Sequence, residues 1–307
     1  MKNILITGAA GFIGSNFVNR ICPHEAYYFH LIDSFTYAGD LQNISSTIAS
    51  CKNLSFEKID IKKNNEVKGL FEKTNYAGII NFAAETHVDN SLKNPQLFFE
   101  TNVIGTLNLL HYSKDARFLQ ISTDEVYGQT KDLRFTFSEK SPLNPRNPYS
   151  ISKAAADRLV MSSGKPFIIT RSCNNYGEFQ NPEKLIPKII NNALKNISLP
   201  IYGNGLNFRE WIHVHDNVDA IWKIFREGKT GNIYNIGSGV TKRNIDLAEM
   251  ILTLTERPLE LIEYVKDRPG HDFGYALDCT KLKNELGHLP AINFRSGLTQ
   301  LVNHHIN

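Results

Sequence analysis

Short apolar runs alternate along the first half of the chain with stretches of helical period. The runs at 2–7, 27–32, 55–59, 79–83, 118–121 and 167–171 are too short for helices, and most end at polar or small residues. This pattern predicts buried parallel strands joined by helices. Between two of them, 95–112 places Leu97, Phe98, Val103, Leu107 and Leu110 on one stripe, predicting a long amphipathic helix whose apolar face is core or subunit interface. Asn102 is the polar residue on it that stands out, and it is expected to contact a cofactor. Beyond 172 the pattern changes, and Asn, Gly and Pro punctuate shorter elements. These are Asn174-Asn-Tyr-Gly, a helix over 182–194, a turn at 202–205, a helix over about 215–226 and the turn-rich stretch 267–272. The expected fold is α/β, a Rossmann-type doubly wound parallel sheet over 1–172 with a smaller C-terminal α/β substrate lobe over 173–307. The lobe is expected to interleave with the last strands of the sheet. No repeat, low-complexity segment or free linker interrupts the chain.

A length of 307 residues suits one large domain with a smaller lobe. The formal net charge of +3, with no long basic run, argues against a nucleic-acid or membrane binder. Any bound anion must therefore meet a local cluster. Cys22, Cys51, Cys173 and Cys279 are scattered, with neither disulfide nor zinc spacing, which fits a reducing cytoplasm. Glycines interrupt the apolar start before a signal-peptide core forms, and no stretch reaches the roughly 18 apolar residues of a membrane helix. His213, His215 and Asp216 resemble a metal pair, but no third ligand is evident, so no metal is expected.

The strand at 2–7 runs into Gly8-Ala-Ala-Gly11-Phe12-Ile13-Gly14 and then a helical pattern. Glycines in that context let backbone N–H groups at a helix start approach a pyrophosphate, so Gly8, Gly11, Phe12, Ile13 and Gly14 are expected to hold a dinucleotide. Asp33 closes the second strand 19 residues beyond Gly14, near the spacing at which an acid bonds the ribose hydroxyls. A carboxylate there repels a 2′-phosphate, which favours NAD over NADP. Asp60 and Ile61, and the small Ala83 and Ala84, end later strands where a flat cofactor can approach the backbone.

Thr123, Asp124 and Glu125 emerge where the run at 118–121 ends, on the ligand-binding edge of such a sheet. Adjacent carboxylates in a dry pocket resist joint ionisation, so one becomes a neutral acid and the other remains a base. Tyr149 and Lys153, four apart on a predicted helix, project from one face. Bringing a tyrosine from near 10 to about 7 requires roughly 4 kcal/mol, which Lys⁺ and a cationic nicotinamide ring can together supply. Such a tyrosinate is a general base for a sugar or alcohol hydroxyl. Lys184, Arg209 and Arg268 lie beside turns and are either solvated charges or a diphosphate clamp.

These motifs resemble the extended short-chain dehydrogenase/reductases, and within them the nucleotide-sugar 4,6-dehydratases, over nearly the full length. The resemblance rests on the glycine motif, Phe82-Ala-Ala-Glu-Thr-His-Val-Asp89, Ser122-Thr-Asp-Glu-Val-Tyr-Gly128, Tyr149-x-x-x-Lys153, Asn174-Asn-Tyr-Gly177, Pro182 to Pro187, Leu199 to Gly203, Arg209-Glu-Trp211 and Asp267 to Asp272. It implies NAD as cofactor and a nucleoside-diphosphate hexose, foremost dTDP-glucose, as substrate. Tyr149 then removes the O4 proton, with Lys153 and Thr123 assisting; Glu125 takes the C5 proton and Asp124 protonates the leaving C6 hydroxyl. It also implies substrate contacts from Thr86, Asn174, Asn175, Lys184, Arg209, Arg268 and His271, with Pro200 and Tyr202 against the base. A homodimer through the helices near Pro95 and Tyr149 is implied as well. Gly274 stands where the dTDP-glucose enzymes usually carry arginine, and Glu178 and Asn181 alter the loop after Tyr176-Gly177. A dehydratase of UDP- or GDP-sugars, a 4-epimerase and a non-catalytic NAD sensor are the alternatives; the complete acid, base and Tyr/Lys set speaks against the last.

Overall fold

The computed structural model describes residues 1–267 and 271–306. Seven strands form its main sheet: β1 (Lys2–Thr7), β2 (Tyr27–Asp33), β3 (Leu54–Lys58), β4 (Gly78–Asn81), β5 (Arg117–Thr123), β6 (Phe167–Ser172) and a later strand, Asn232–Ile236. Their order is Asn232–Ile236, β6, β5, β4, β1, β2, β3, and every pairing is parallel. Leu5, Ile6, Ile79, Ile80, Phe118, Leu119, Ile168 and Ile169 are wholly buried, because helices cover both faces of the sheet. The order reverses between β1 and β4, which leaves a crevice at the carboxyl ends of those strands.

The remaining strands are β7 (Asn174–Tyr176), β8 (Leu199–Tyr202), β9 (Phe208–His213), β10 (the sheet strand Asn232–Ile236), β11 (Thr241–Arg243), β12 (Ile262–Val265) and β13 (Gly274–Tyr275). β9 pairs with β7, β11 and β13, while β8 pairs with β12. Ile186, Ile190, Leu199, Trp211, Leu247, Ile251 and Leu298 form a second core beneath them.

Four elements depart from the sequence expectation. The strand expected over 79–83 stops at Asn81, because the Ala83 N–H turns to the Thr7 hydroxyl at 3.2 Å and leaves the ladder. The single helix expected over 95–112 follows one helical path, but Glu100–Gly105 is wound as a π-helix between Pro95–Phe99 and Thr106–Tyr112. Gly105 lies on that turn with no room for a side chain, since a Cβ would come within 2.6 Å of Ile61. The helix expected over 182–194 begins at Leu185, because the Asn181 side chain takes the Glu183 N–H at 3.0 Å and holds those residues in a turn. The helix expected over 215–226 runs Val214–Glu227, with the His213 ring accepting the His215 N–H as its cap.

The helix Pro148–Ser162 lies against β5 and β6 and carries both Tyr149 and Lys153. A buried ion pair fastens it, with Arg171 Nε donating to Asp157 at 3.0 Å and the guanidinium 4.8 Å over the Tyr127 ring. Removing one partner of such a pair leaves an uncompensated charge out of water. Asp157→Ala is expected to cost about 3–5 kcal/mol in denaturant unfolding, and a second change, Arg171→Met, to recover much of it. Equal stability of Asp157→Ala and wild type would show that the pair does not anchor the helix.

Candidate active site

The crevice is a continuous cleft of two cavities, with empty volumes of ≈ 590 and ≈ 1180 Å³, that share Gly8, Gly11, Ala38, Phe82 and Ala84. Gly8 has φ +64°, and a Cβ on it would stand 2.6 Å from the Ala83 nitrogen; one on Gly14 would stand 2.1 Å from the Gly8 carbonyl oxygen. Only glycine lets these segments cross so closely, and the crossing leaves the start of the helix Phe12–Arg20 open to the cleft. Gly8, Gly11, Phe12, Ile13 and Gly14 line the larger cavity, while Asp33, Asp60, Ile61, Ala83 and Ala84 line the smaller. The Asp33 carboxylate accepts the N–H groups of Ala10 at 3.0 Å and Phe35 at 2.9 Å. Burial raises its pKa against the pull of these bonds, and the bonds fix the group at the cavity rim. A glycine-lined helix start and an acid at the far end of one cleft fit a dinucleotide.

Asn102 does not line the cleft. Its amide donates to the Glu85 carbonyl at 3.0 Å and to Ser152 at 2.9 Å, and its carbonyl accepts the Glu85 N–H at 2.9 Å. It acts behind the wall, joining the loop after β4 to the Tyr149 helix. Its neighbour Thr101 reaches the cavity.

β5 ends at Thr123, and Asp124–Tyr127 follows as a tight 3₁₀ turn. The Thr123 hydroxyl donates to Asp124 Oδ1 at 3.1 Å and accepts the Glu125 N–H at 3.3 Å. Asp124 is buried, and its Oδ2 has no partner. Burial, then the charges of Glu125 and Glu210, push its pKa well above the ordinary carboxylate range; the Thr123 bond and Arg209 oppose this. Glu125 is only half-buried, and its Oε2 accepts from the Asn147 amide at 3.2 Å. The unequal burial of two neighbouring carboxyls leaves one suited to donating a proton and the other to accepting one.

Thr123, Asp124, Glu125, Tyr149 and Lys153 all line the larger cavity. The expectation joined Lys153 with a cationic nicotinamide ring in lowering the Tyr149 phenol, and the protein's own groups do not lower it. Lys153 Nζ donates to the Ile121 carbonyl at 2.6 Å, and burial lowers its own pKa to about 8. The phenol is pushed up, by burial first and by Glu125 next, with a Thr123 hydrogen bond opposing. The protein alone therefore keeps Tyr149 protonated, and its proton leaves only when further positive charge enters the cleft.

Thr86, Asn174, Asn175 and Lys184 also line the larger cavity. The side-chain carbonyls of both asparagines are buried without partners, and Lys184 Nζ donates to Thr86 O at 3.0 Å. Pro200, Tyr202, Arg209 and His271 stand outside the lining. Arg209 is buried with its guanidinium donating to the carbonyls of Phe208, Asp272 and Phe273, 4.6 Å over the Tyr275 ring. Pro200 is held in the β8–β12 ladder, and Tyr202 meets the His271 ring edge-on at 5.8 Å. Arg268 lies outside the described residues. Sequence reading missed Tyr37, Phe82, Ser172, Cys173 and Gln180, which also line the cleft. Ser172 and Cys173 had a readable signal, since they end β6 as Thr123 ends β5.

Because Asp124 binds its proton more tightly folded than unfolded, its contribution to stability is fully present below the ordinary aspartate pKa and is lost as pH rises through the raised value. Asp124→Asn removes this term. The thermal midpoint of Asp124→Asn is expected to gain on wild type by ~2 °C or more between pH 4 and pH 8. A constant difference across that range would place an ordinary aspartate at this position.

The GDP-mannose 4,6 dehydratase family model matches residues 5–301. The low-salt glycan biosynthesis protein Agl12 of Haloferax volcanii is 46% identical over 99% of this chain and 98% of its own. The dTDP-glucose 4,6-dehydratase of Haemophilus influenzae is 40% identical over 98% of this chain and 97% of its own. The crystal structure of DesIV, a dTDP-glucose 4,6-dehydratase from Streptomyces venezuelae with NAD bound, superposes with a TM-score of 0.93 at 39% identity, covering 99% of this chain and 97% of that one. With an acid, a base, a phenol and a lysine around a dinucleotide-shaped cleft, and a match along almost its entire length, the chain belongs to the GDP-mannose 4,6 dehydratase family.

Proposed function

We propose that the protein removes water from dTDP-glucose, giving the 4-keto-6-deoxy sugar nucleotide, with NAD as a cofactor restored in each cycle. The observation that carries this reading is the unequal burial of Asp124 and Glu125 in one cavity with Tyr149 and Lys153. An epimerase has no step that uses such an acid–base pair. The relatives named as dTDP-glucose 4,6-dehydratases support dTDP-glucose over UDP- and GDP-sugars.

Gly8, Gly11, Phe12, Ile13 and Gly14 would hold the pyrophosphate, Asp33 the adenosine ribose, and Ala83 and Ala84 the face of the ring. Bound there, NAD supplies positive charge, a hydride acceptor for C4 and, once reduced, the hydride that C6 receives. Tyr149 takes the O4 proton, with Thr123 orienting that hydroxyl and Lys153 near the phenol. Oxidation at C4 acidifies the C5 hydrogen. Glu125 removes it, and Asp124 gives its proton to the departing C6 hydroxyl. Thr86, Asn174, Asn175 and Lys184 are the groups best placed for the nucleotide sugar: the Lys184 ammonium suits its diphosphate, and the buried unpartnered carbonyls of the two asparagines suit hydroxyl or N–H donors of the same molecule. In this reading 1–172 holds the cofactor and 173–307 shapes the substrate lobe, with β10 returning to the sheet.

We further read the protein as a cytoplasmic homodimer. No helix among the described residues is long and apolar enough to cross a membrane, and all four cysteines are free thiols. Phe99, Ile104, Leu107, Ile151 and Met161 are exposed on two helical segments that pack on each other, an apolar face suited to a second copy. Leu107→Glu is expected to shift the mass measured by light scattering from dimer toward monomer; an unchanged mass would exclude this face.

Incubated with dTDP-, UDP- and GDP-hexoses, the protein is expected to give the alkaline absorbance of a 4-keto product with dTDP-glucose. Glu125→Gln is expected to slow water loss at least ~100-fold while leaving C4 oxidation able to occur. Formation of the galacto isomer alone, or full turnover by Glu125→Gln, would reject the mechanism.

A further inference from the structure

Glu125 is not held by its own turn alone. Asn147, whose Nδ2 donates to Glu125 Oε2 at 3.2 Å, is buried behind the cleft wall and does not line the cavity. The other end of the same amide is committed to the Tyr149 helix. Asn147 Oδ1 accepts the Ser150 N–H at 2.8 Å, and Ser150 Oγ accepts the Asn147 N–H at 3.2 Å, a reciprocal capping box. With the acceptor end locked, the planar amide has one orientation left for its donor.

The segment leading to Asn147 is fixed to the same turn. The Asn144 N–H donates to the Val126 carbonyl at 3.0 Å, and the Asn144 carbonyl lies so near Gly128 that a Cβ there would be 2.5 Å away. Gly128 also has φ +83°, so no other residue suits this crossing. Both ends of the amide bridge therefore stand on one docked pair of segments, the acid–base turn and the entry to the helix.

A helix cap needs only the side-chain oxygen, which serine or aspartate supplies as well. The amide donor aimed at Glu125 is surplus to capping. We propose that Asn147 is a positioning residue for the elimination step, registering the Glu125 carboxylate to the helix that carries Tyr149. This rests on the dehydratase reading. In the step it supports, Glu125 takes the C5 proton, the C5–H electron pair becomes the C5–C6 double bond, and the C6 hydroxyl leaves as water with the proton of Asp124. Asn147 forms no bond to the sugar.

The test compares Asn147→Asp and Asn147→Ser with wild type, each with NAD, on dTDP-glucose. Both keep a cap oxygen. Aspartate removes the donor and sets a like charge against Glu125, whereas the serine hydroxyl is too short to reach it. Thermal midpoints within a few degrees of wild type are expected, with product formation about tenfold slower in Asn147→Asp and less so in Asn147→Ser. Because C4 oxidation does not use Glu125, the near-ultraviolet absorbance of reduced nicotinamide is expected to build up during turnover in both. A cap that was only structural would lower the thermal midpoint and both half-reactions together, with no build-up. Wild-type turnover by Asn147→Asp, or slowing without that absorbance, overturns the proposal; if the aspartate variant does not fold, Asn147→Ser decides by the same signal. A wild-type protein that dehydrates no sugar nucleotide fails the parent reading instead, so the two failures are separable.

Discussion

Two carboxyl groups at consecutive positions on one turn cannot both carry charge once one of them is taken out of water. Their repulsion and the lost hydration favour a proton on the more deeply buried member. Here the turn that ends β5 sends Asp124 inward, with one oxygen unpartnered, and leaves Glu125 at the cavity with an amide donor. The unequal burial of the two carboxyls therefore follows from backbone direction. The side chains differ by one methylene, and that difference by itself assigns no role.

The surrounding structure preserves this asymmetry through the helix Pro148–Ser162. At its start Asn147 meets Glu125, one turn later Ser152 meets Asn102 and through it the Glu85 backbone, and Asp157 is tied to Arg171 on β6. The Asp124–Tyr127 turn, the loop after β4 and the central sheet are thus linked to one helix. All of these links but the one to the half-buried Glu125 are hydrogen bonds among buried groups, where a misplaced donor or acceptor costs far more than in water. Residues far apart in the chain consequently keep one geometry.

The phenol shows how such a site can withhold reactivity. Burial first, and then the neighbouring carboxyl of Glu125, make Tyr149 hold its proton more firmly than a free tyrosine, while Lys153 donates to a backbone carbonyl. Spacing on the helix indicates that Tyr149 and Lys153 share a face, but it does not indicate which acceptor the ammonium chooses. A phenol held in this way is protonated until positive charge enters the cleft, a constraint that belongs to the assembled pocket.

The sequence by itself determined the alternating β/α architecture, the glycine crossing, the acid at the end of β2 and the five side chains, Thr123 to Glu125, Tyr149 and Lys153, that share the larger cavity. All of these arise from local periodicity, from residue types with a single steric use, or from spacing within one turn of helix. Folding decided the rest: the π-wound segment, the early end of β4, the pairing of Asn147 with Glu125, and the withdrawal of Pro200, Tyr202, Arg209 and His271 from the cleft lining. Arg209 illustrates why. Its charge and its place between aromatic residues can be read from the chain, whereas two of the three carbonyls and the ring that occupy its guanidinium come from a segment more than sixty positions away, and only close packing brings them together.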